Sequence, residues 1–514
     1  LRKETYLSVT RPAAQSAIRS FRLSALTTQR LLVATLFLLL FALAVRIPVD
    51  TDTWWHLRSG EYILSHGSVP QTDPFSLTRG GQPWIDQSWL SQIVMVAFYR
   101  GLGGSVGLAL YTAILATAGM AFIFAICDGN VFLRAFIMVL TASTAAVFWS
   151  ARPQMASFLL STVILYLLYT YKKRHVDRLW LIPPIMALWV NLHSGFAIGF
   201  IFLGGAIAGE ILNRVFKRAE PDVLSWIAIR KLVLITAISG VALLINPYTV
   251  KMLTYPFQTA GIGALEQYIQ EWASPNFHGH ETWPFLVMLF GILAAAGLSK
   301  RGWDWTDLVL TGGTAFMALL WQRNFAVFAV VAAPVLARHL NAILDNAGWR
   351  LARSAPPRGI AVALNWAILI LVLAGALIKI VAVLAPPIVA KAQSDLLPVR
   401  AAAYLNAHNP PGPLFNTYNW GGYLLFATPS YPIFVDGRTD LYGDAILVPW
   451  RAAILGDPSW RALFDQWKIR LVVIEHDSAL AGILRKEAGW QESYADSQAS
   501  IFEAQALQPI SGGS

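Results

Sequence analysis

The length of its apolar runs most limits what this chain can fold into. Residues 31–45 and 360–384 are apolar stretches too long for a soluble helix to hide. In hydrocarbon the backbone polar groups have to be satisfied within the segment, so such runs predict membrane-spanning helices. With 56% hydrophobic and 13% charged residues over 514 positions, the rest of the chain supports a polytopic α-helical membrane protein rather than a soluble globule.

The net charge of +10 would suggest nucleic acid in another setting. Here most basic residues sit in short clusters beside apolar runs, as topology signals do, and no nucleic-acid partner is expected. The clusters are Arg2, Lys3, Arg11, Arg19, Arg22 and Arg30; Lys172, Lys173, Arg174 and Arg178; Arg214, Lys217, Arg218, Arg230 and Lys231; Lys300 and Arg301; and Arg338, Arg350, Arg353 and Arg358. Placing all of them on the cytoplasmic side gives about eleven spans. They lie near 29–47, 105–126, 131–149, 155–171, 179–192, 195–213, 230–246, 283–298, 305–321, 325–338 and 360–384. Residues 1–30 read as an uncleaved cytoplasmic tail, because no small-residue cleavage site precedes the first span. The run 90–99 is too short to cross alone and is expected at the interface or as a re-entrant helix. Cys127 is the single cysteine, so there is no internal disulfide.

This topology gathers the unusual residues on the other, outer side. Residues 48–104 form a first outer loop whose stretch 48–89 packs Asp50, Asp52, Glu61, Asp73 and Asp86 among Trp54, Trp55, Trp84, Trp89 and His56. That is far longer than a connector needs, and it reads as a built site. A second outer loop, 246–282, offers Lys251, Glu266, Glu271, His278, His280 and Glu281. After the last span, Pro386 and Pro387 break the helix, and residues 391–514 alternate strand and helix signals. Strands are expected at 413–417, 432–435, 469–474 and 500–503, helices at 422–427 and 478–488, and a turn at Asp436, Gly437 and Arg438. This is a soluble α/β module of about 120 residues on the outer side, with no phosphate fingerprint and no Cys/His metal spacing.

Asp50 and Asp52 frame a D-x-D at the outer mouth of the first span. Such a pair can share a divalent cation such as Mg or Mn. Alternatively, one acid can act as a base held by the other, or the pair can be a solvated turn. Asp86 either adds a carboxylate or caps the helix that follows. Arg152 stands between two spans where positive charge is least expected, and Arg323 and Lys251 are similar cases. Each would bind an anion such as a lipid phosphate or complete an ion pair. His193 would donate to a phosphate or acceptor, or simply pack, and Glu271 would be a second acid. No Ser/His/Asp triad, H-E-x-x-H or P-loop is present, which removes the hydrolase and ATPase readings.

The segment D-T-D-T-W-W-H at 50–56 resembles the first-loop acid motif of the GT-C superfamily of integral-membrane glycosyltransferases. Within it, the chain is similar to a bacterial mannosyltransferase-like group related to lipopolysaccharide-core transferases. The similarity continues through T-D-P-F-S (72–76), W-L (89–90), R-P (152–153), L-W-V-N-L-H (188–193), N-P-Y (246–248), E-W-A-S-P (271–275), W-G-G-Y (420–423) and V-D-G-R (435–438). The resemblance implies a GT-C-like domain over 31–385 in the bacterial inner membrane. It also implies sugar transfer from a polyprenyl-phosphate donor to an extracytoplasmic glycan, lipid or protein acceptor. Asp52 takes the place of the catalytic acid, with Asp50 the second choice, and His56, Asp86, Arg152, His193, Lys251, Glu271 and Arg323 are the expected substrate contacts. Thr53 and Trp54 stand where many relatives carry an acid or tyrosine, and Asp86 with Gln87 replaces a histidine–proline pair. The alternatives from other classes are a flippase for a lipid-linked intermediate and a non-catalytic assembly protein. Few mid-span charges and no internal repeat speak against the first of these.

Overall fold

The computed structural model describes residues 26–216, 222–263, 269–349 and 359–505. The expected tail up to residue 25, together with Lys217, Arg218, Glu266, Arg350, Arg353 and Arg358, lies outside the described residues.

Every expected span coincides with a helix, from α1 (Thr28–Ala44) to Ile360–Val383. Seven helices among the described residues are long and apolar enough to cross a membrane. Thr28–Ala44, Leu179–Leu192 and Trp305–Leu320 are apolar but shorter, and Trp226–Ala242 carries Arg230 and Lys231. Length alone therefore supports fewer crossings than the charge pattern implied. The centre of the bundle is the segment Gln322–Asn346, whose most apolar window is 72% buried against 6% for Ile360–Val383. Its run of alanines and valines lets neighbouring backbones approach, whereas the Leu/Ile-rich last helix presents large apolar side chains outward. That last helix packs on α1, and its Lys379 donates to the carbonyls of Ala42 and Val45 at the end of α1.

Helix Gln154–Arg174 fixes two ends of the molecule about 30 Å apart. At its last turn Lys172 bonds Glu210 and Asp304 (2.6 Å), and Lys173 bonds Asp222 and Asp304 (3.0 and 3.2 Å). Arg338 pairs with Asp307 nearby. Several of the basic residues counted as topology signals are therefore bound into a part-buried ionic network.

The opposite end holds the polar loops, and they are more helical than their composition suggests. Residues 48–89 contain α2 (Asp52–His66), which closes on Gly67 in the left-handed conformation (φ 66°). It packs against α3 (Trp89–Gly101), the helix expected over 90–99, and against Tyr418–Ala427 of the C-terminal module. The second outer loop likewise contains a helix, Lys251–Ala260.

The module is built on a four-stranded sheet of order β1-β2-β4-β3, with β1 (Leu414–Asn416), β2 (Leu471–Glu475), β3 (Trp490–Ala495) and β4 (Ala499–Ala504). β1 and β2 are parallel, and helices Tyr418–Ala427, Thr439–Ile454 and Trp460–Trp467 lie in the crossover between them. The strand expected at 432–435 does not form. Asn416 takes the Phe434 N–H and the Val435 carbonyl (2.7 and 2.8 Å), and the first loop takes the rest. Leu77 N–H donates to Ile433 and Thr78 Oγ1 to Phe434, both at 2.7 Å. The helix expected at 478–488 is shorter, Ala479–Leu484, and β3 was not anticipated.

Arg438 ties the module to the first loop and is only 1% exposed. Its Nε reaches both oxygens of Asp436 (3.0 and 2.9 Å), Nη1 reaches Asp73 (2.6 Å) and Nη2 the Tyr442 hydroxyl (3.2 Å). The guanidinium also sits 4.8 Å from the Trp84 ring centre. Burial pushes the Asp73 carboxyl up, but Arg438 and Ser76 hold it below the usual carboxylate range.

Candidate active site

The start of α2 sets the site. Asp50 Oδ1 accepts the Asp52 N–H at 3.0 Å, which fixes the first helical turn and brings both acids to the mouth of α1. Thr53 Oγ1 donates to the Ala151 carbonyl at 3.0 Å and so anchors that turn beside Arg152. A cavity of about 890 Å³ opens here. Asp50, Asp52, His56, Asp86, Arg152, His193, Glu271 and Arg323 all line it. Lys251 does not. It is exposed at the first position of its helix, from which Tyr255, Pro256 and Thr259 line the cavity instead.

Arg152 is the hub of an acidic group. Its Nη1 lies 2.6 Å from Glu271 and 3.5 Å from Asp50, and its Nη2 lies 2.9 Å from Asp52. Three carboxylates around one guanidinium leave the group negative and hold the arginine charged despite burial. Arg152 is thus occupied by acids and not free for a lipid phosphate. Burial raises the Asp52 carboxyl to about 7. Arg152 opposes the rise, whereas Asp50 and Glu271 add to it. Glu271 is held below the usual range by Arg152 against its own burial.

The same geometry tests the divalent cation expected between Asp50 and Asp52. Their Oδ2 atoms turn to Arg152, Asp50 Oδ1 is taken by the Asp52 N–H, and Asp52 Oδ1 accepts the Trp55 indole N–H at 3.3 Å. Among the described residues no three His, Cys, Asp or Glu side chains are placed to hold a metal ion. The donor set as it stands is built around the guanidinium.

Arg323 and His193 also line the cavity, within reach of the charges of Glu271 and Arg152. Arg323 makes no ion pair among the described residues, and its guanidinium lies 4.3 Å from the Trp272 ring centre. His193 receives hydrogen bonds at Nδ1. Ser157 Oγ accepts from Trp189 Nε1 (2.7 Å), so its own hydrogen goes to Nδ1 (2.8 Å), and the Gly195 N–H adds another (3.0 Å). These bonds assign the proton of the neutral ring to Nε2. Burial, with Arg323 and Arg152 nearby, lowers His193 to about 3, so it is a neutral donor.

The C-terminal module supplies the remaining wall through Tyr418, Asn419, Gly437, Thr439 and Asp440. Gly437 lies so close to α2 that a methyl group on it would overlap Asp52 Oδ1. The motifs W-G-G-Y and V-D-G-R were visible in the sequence, but their place against Asp52 was not. Tyr255 and Asp440, which hydrogen-bond to each other in the same cavity, carried no sequence signal.

No protein-family model and no curated protein matches the sequence. The fold is similar to that of the archaeal oligosaccharyltransferase AglB from Archaeoglobus fulgidus in complex with an inhibitory peptide and a dolichol-phosphate. There the TM-score is 0.55 at 11% identity, covering 94% of this chain and 74% of that one. With the same oligosaccharyltransferase tethered to an acceptor peptide containing the NVT sequon, the TM-score is 0.56 at 11% identity over 88% and 70% of the two chains. The arabinofuranosyltransferase AftD from Mycobacteria gives 0.51 at 15% identity over 94% of this chain and 40% of that one. This chain shares its fold with these membrane-embedded transferases.

Proposed function

We propose that this GT-C fold transfers a sugar, with inversion, from a polyprenyl-phosphate-linked donor to an extracytoplasmic glycan, lipid or protein acceptor. The acceptor hydroxyl or amide attacks C1 of the sugar, the C1–O bond to phosphate breaks, and the electron pair leaves with the lipid phosphate. Asp52 takes the acceptor proton. Asp50 holds Asp52 through its backbone, and Arg152 orients Asp52 and Glu271 together. Negative charge gathered there suits the positive character that develops at C1. The leaving phosphate belongs at Arg323 and the Nε2–H of His193, which stabilise it.

The observation that carries this reading is one cavity lined both by Asp52, held among acids on Arg152, and by Arg323 and the neutral His193. The complex of the structurally similar AglB with dolichol-phosphate supports a lipid-phosphate donor. The clustering of basic residues at the far end of the bundle supports an extracytoplasmic cavity.

The test is transfer of radiolabelled sugar from lipid-linked donor in membranes containing wild type or Asp52→Asn, with and without EDTA. Asp52→Asn should lose roughly 10²-fold or more, and EDTA should leave the wild-type rate unchanged. Near-wild-type transfer by the variant removes Asp52 as the base. Inhibition by EDTA that Mg or Mn reverses puts a metal back between Asp50 and Asp52.

A further inference from the structure

A third group of polar side chains faces the cavity and takes no part in the transfer chemistry above. Asp86 is 1% exposed. Its backbone N–H donates to the Tyr248 hydroxyl (2.9 Å), which in turn donates to the Pro70 carbonyl (2.8 Å), so the two long loops hold it in place. One carboxyl oxygen, Oδ1, accepts from Gln92 Nε2 at 2.6 Å. The other, Oδ2, and Gln92 Oε1 are buried without any protein partner. Native structures rarely leave a buried carboxyl oxygen unpaired, and Asp86 itself lines the cavity. The helix cap considered from the sequence is not the side chain's main role, since its shortest bond goes to Gln92 rather than to a backbone N–H.

Gln92 also donates to His56 Nδ1 (3.3 Å), which assigns the His56 proton to Nε2. Asp86 and His56 therefore offer an acceptor and a donor side by side, as a hydroxyl group requires. Trp84 and Trp55 both line the cavity, packed edge to face with ring centres 6.5 Å apart, and the Trp55 ring lies 3.5 Å from that of His56. Trp55 is also the residue whose indole bonds Asp52, so this pair borders the base. An aromatic face with a few convergent polar groups suits a sugar ring, which has an apolar C–H face and hydroxyl edges. A phosphate is disfavoured here by the carboxylate and favoured at Arg323.

We propose that Asp86, His56, Trp55 and Trp84, with Gln92 behind them holding Asp86 and His56, form the subsite that binds the hydroxyls and apolar ring edge of the donor's monosaccharide. This rests on the lipid-phosphate donor reading and adds where the sugar is recognised. Burial raises the Asp86 carboxyl to about 7, so at neutral pH both its forms are present, and both hydrogen-bond a hydroxyl.

The experiment measures binding of bare undecaprenyl phosphate, and of a panel of undecaprenyl-phosphate hexoses and pentoses, to the full chain in lipid nanodiscs. Wild type, Asp86→Asn and Asp86→Leu are compared. At least one sugar-bearing lipid should bind wild type about tenfold tighter than the bare lipid. Asp86→Leu should erase that gain while leaving the bare lipid's affinity unchanged, and Asp86→Asn should keep part of it. The subsite is refuted if no sugar-bearing lipid gains over the bare one, if Asp86→Leu keeps the gain, or if it weakens the bare lipid equally. If bare undecaprenyl phosphate fails to bind wild type at all, it is the donor reading that falls, a result separate from the other outcomes.

Discussion

Asp52 is the residue through which pH should act on this protein. A base works only when ionised, and burial holds this carboxyl at about 7. Transfer should therefore climb as pH rises from about 5 to about 9 and level off above neutrality. Because Asp50, Glu271 and Arg152 share its field, the midpoint belongs to the group rather than to one acid. The guanidinium is what pulls it down, so Arg152→Ala should move the midpoint to higher pH. A kcat/KM profile of both proteins checks this, and a flat wild-type profile would contradict it. At this scale the sequence was informative about which residues matter. Polar side chains at the ends of apolar runs have few places to go, and all the expected ones except Lys251 line one cavity. Their pairing was not legible. Three acids from two loops meeting on Arg152 is a property of the folded chain, and of the two readings the sequence left open for this arginine it favours the ion pair.

At the scale of elements, α2 was hidden because a tryptophan-rich, acid-rich stretch with mixed periodicity reads as loop. Its stability comes from packing on α3 and on Tyr418–Ala427, contacts that no local pattern shows. The expected strand at 432–435 failed for the opposite reason. Its composition is right, but the groups that would pair with a neighbouring strand are taken by Asn416 and by the first loop. The turn that follows carries the sharpest test of this scale. Gly437 leaves room for the Asp52 carboxylate and for nothing larger. Gly437→Ala should push that carboxylate aside, lowering kcat at least tenfold while the thermal midpoint stays near wild type. The atom displaced is the end of a side chain rather than packed backbone. Full activity in Gly437→Ala would show that Asp52 does not need its observed position.

Across the whole molecule, the membrane-embedded part was legible in outline, since run length and basic clusters placed every helix of the bundle. The attachment of the C-terminal module was not, because it depends on Arg438 meeting Asp73 far away in sequence. Removing one member of a fully buried ion pair leaves an uncompensated charge and costs roughly 3–5 kcal/mol. Arg438→Leu should lower the thermal midpoint and expose the module to limited proteolysis, whereas surface changes such as Lys391→Ala should not. An unchanged midpoint and digestion pattern would mean the module is held by other contacts. The buried arginine also bears on how cargo moves. A lid needs a seam that can part, and the seam here is stitched by an ion cluster shut off from water, so the module travels with the bundle rather than swinging over it. Anything that enters the cavity must come and go around a fixed roof, sideways between helix ends or past its rim.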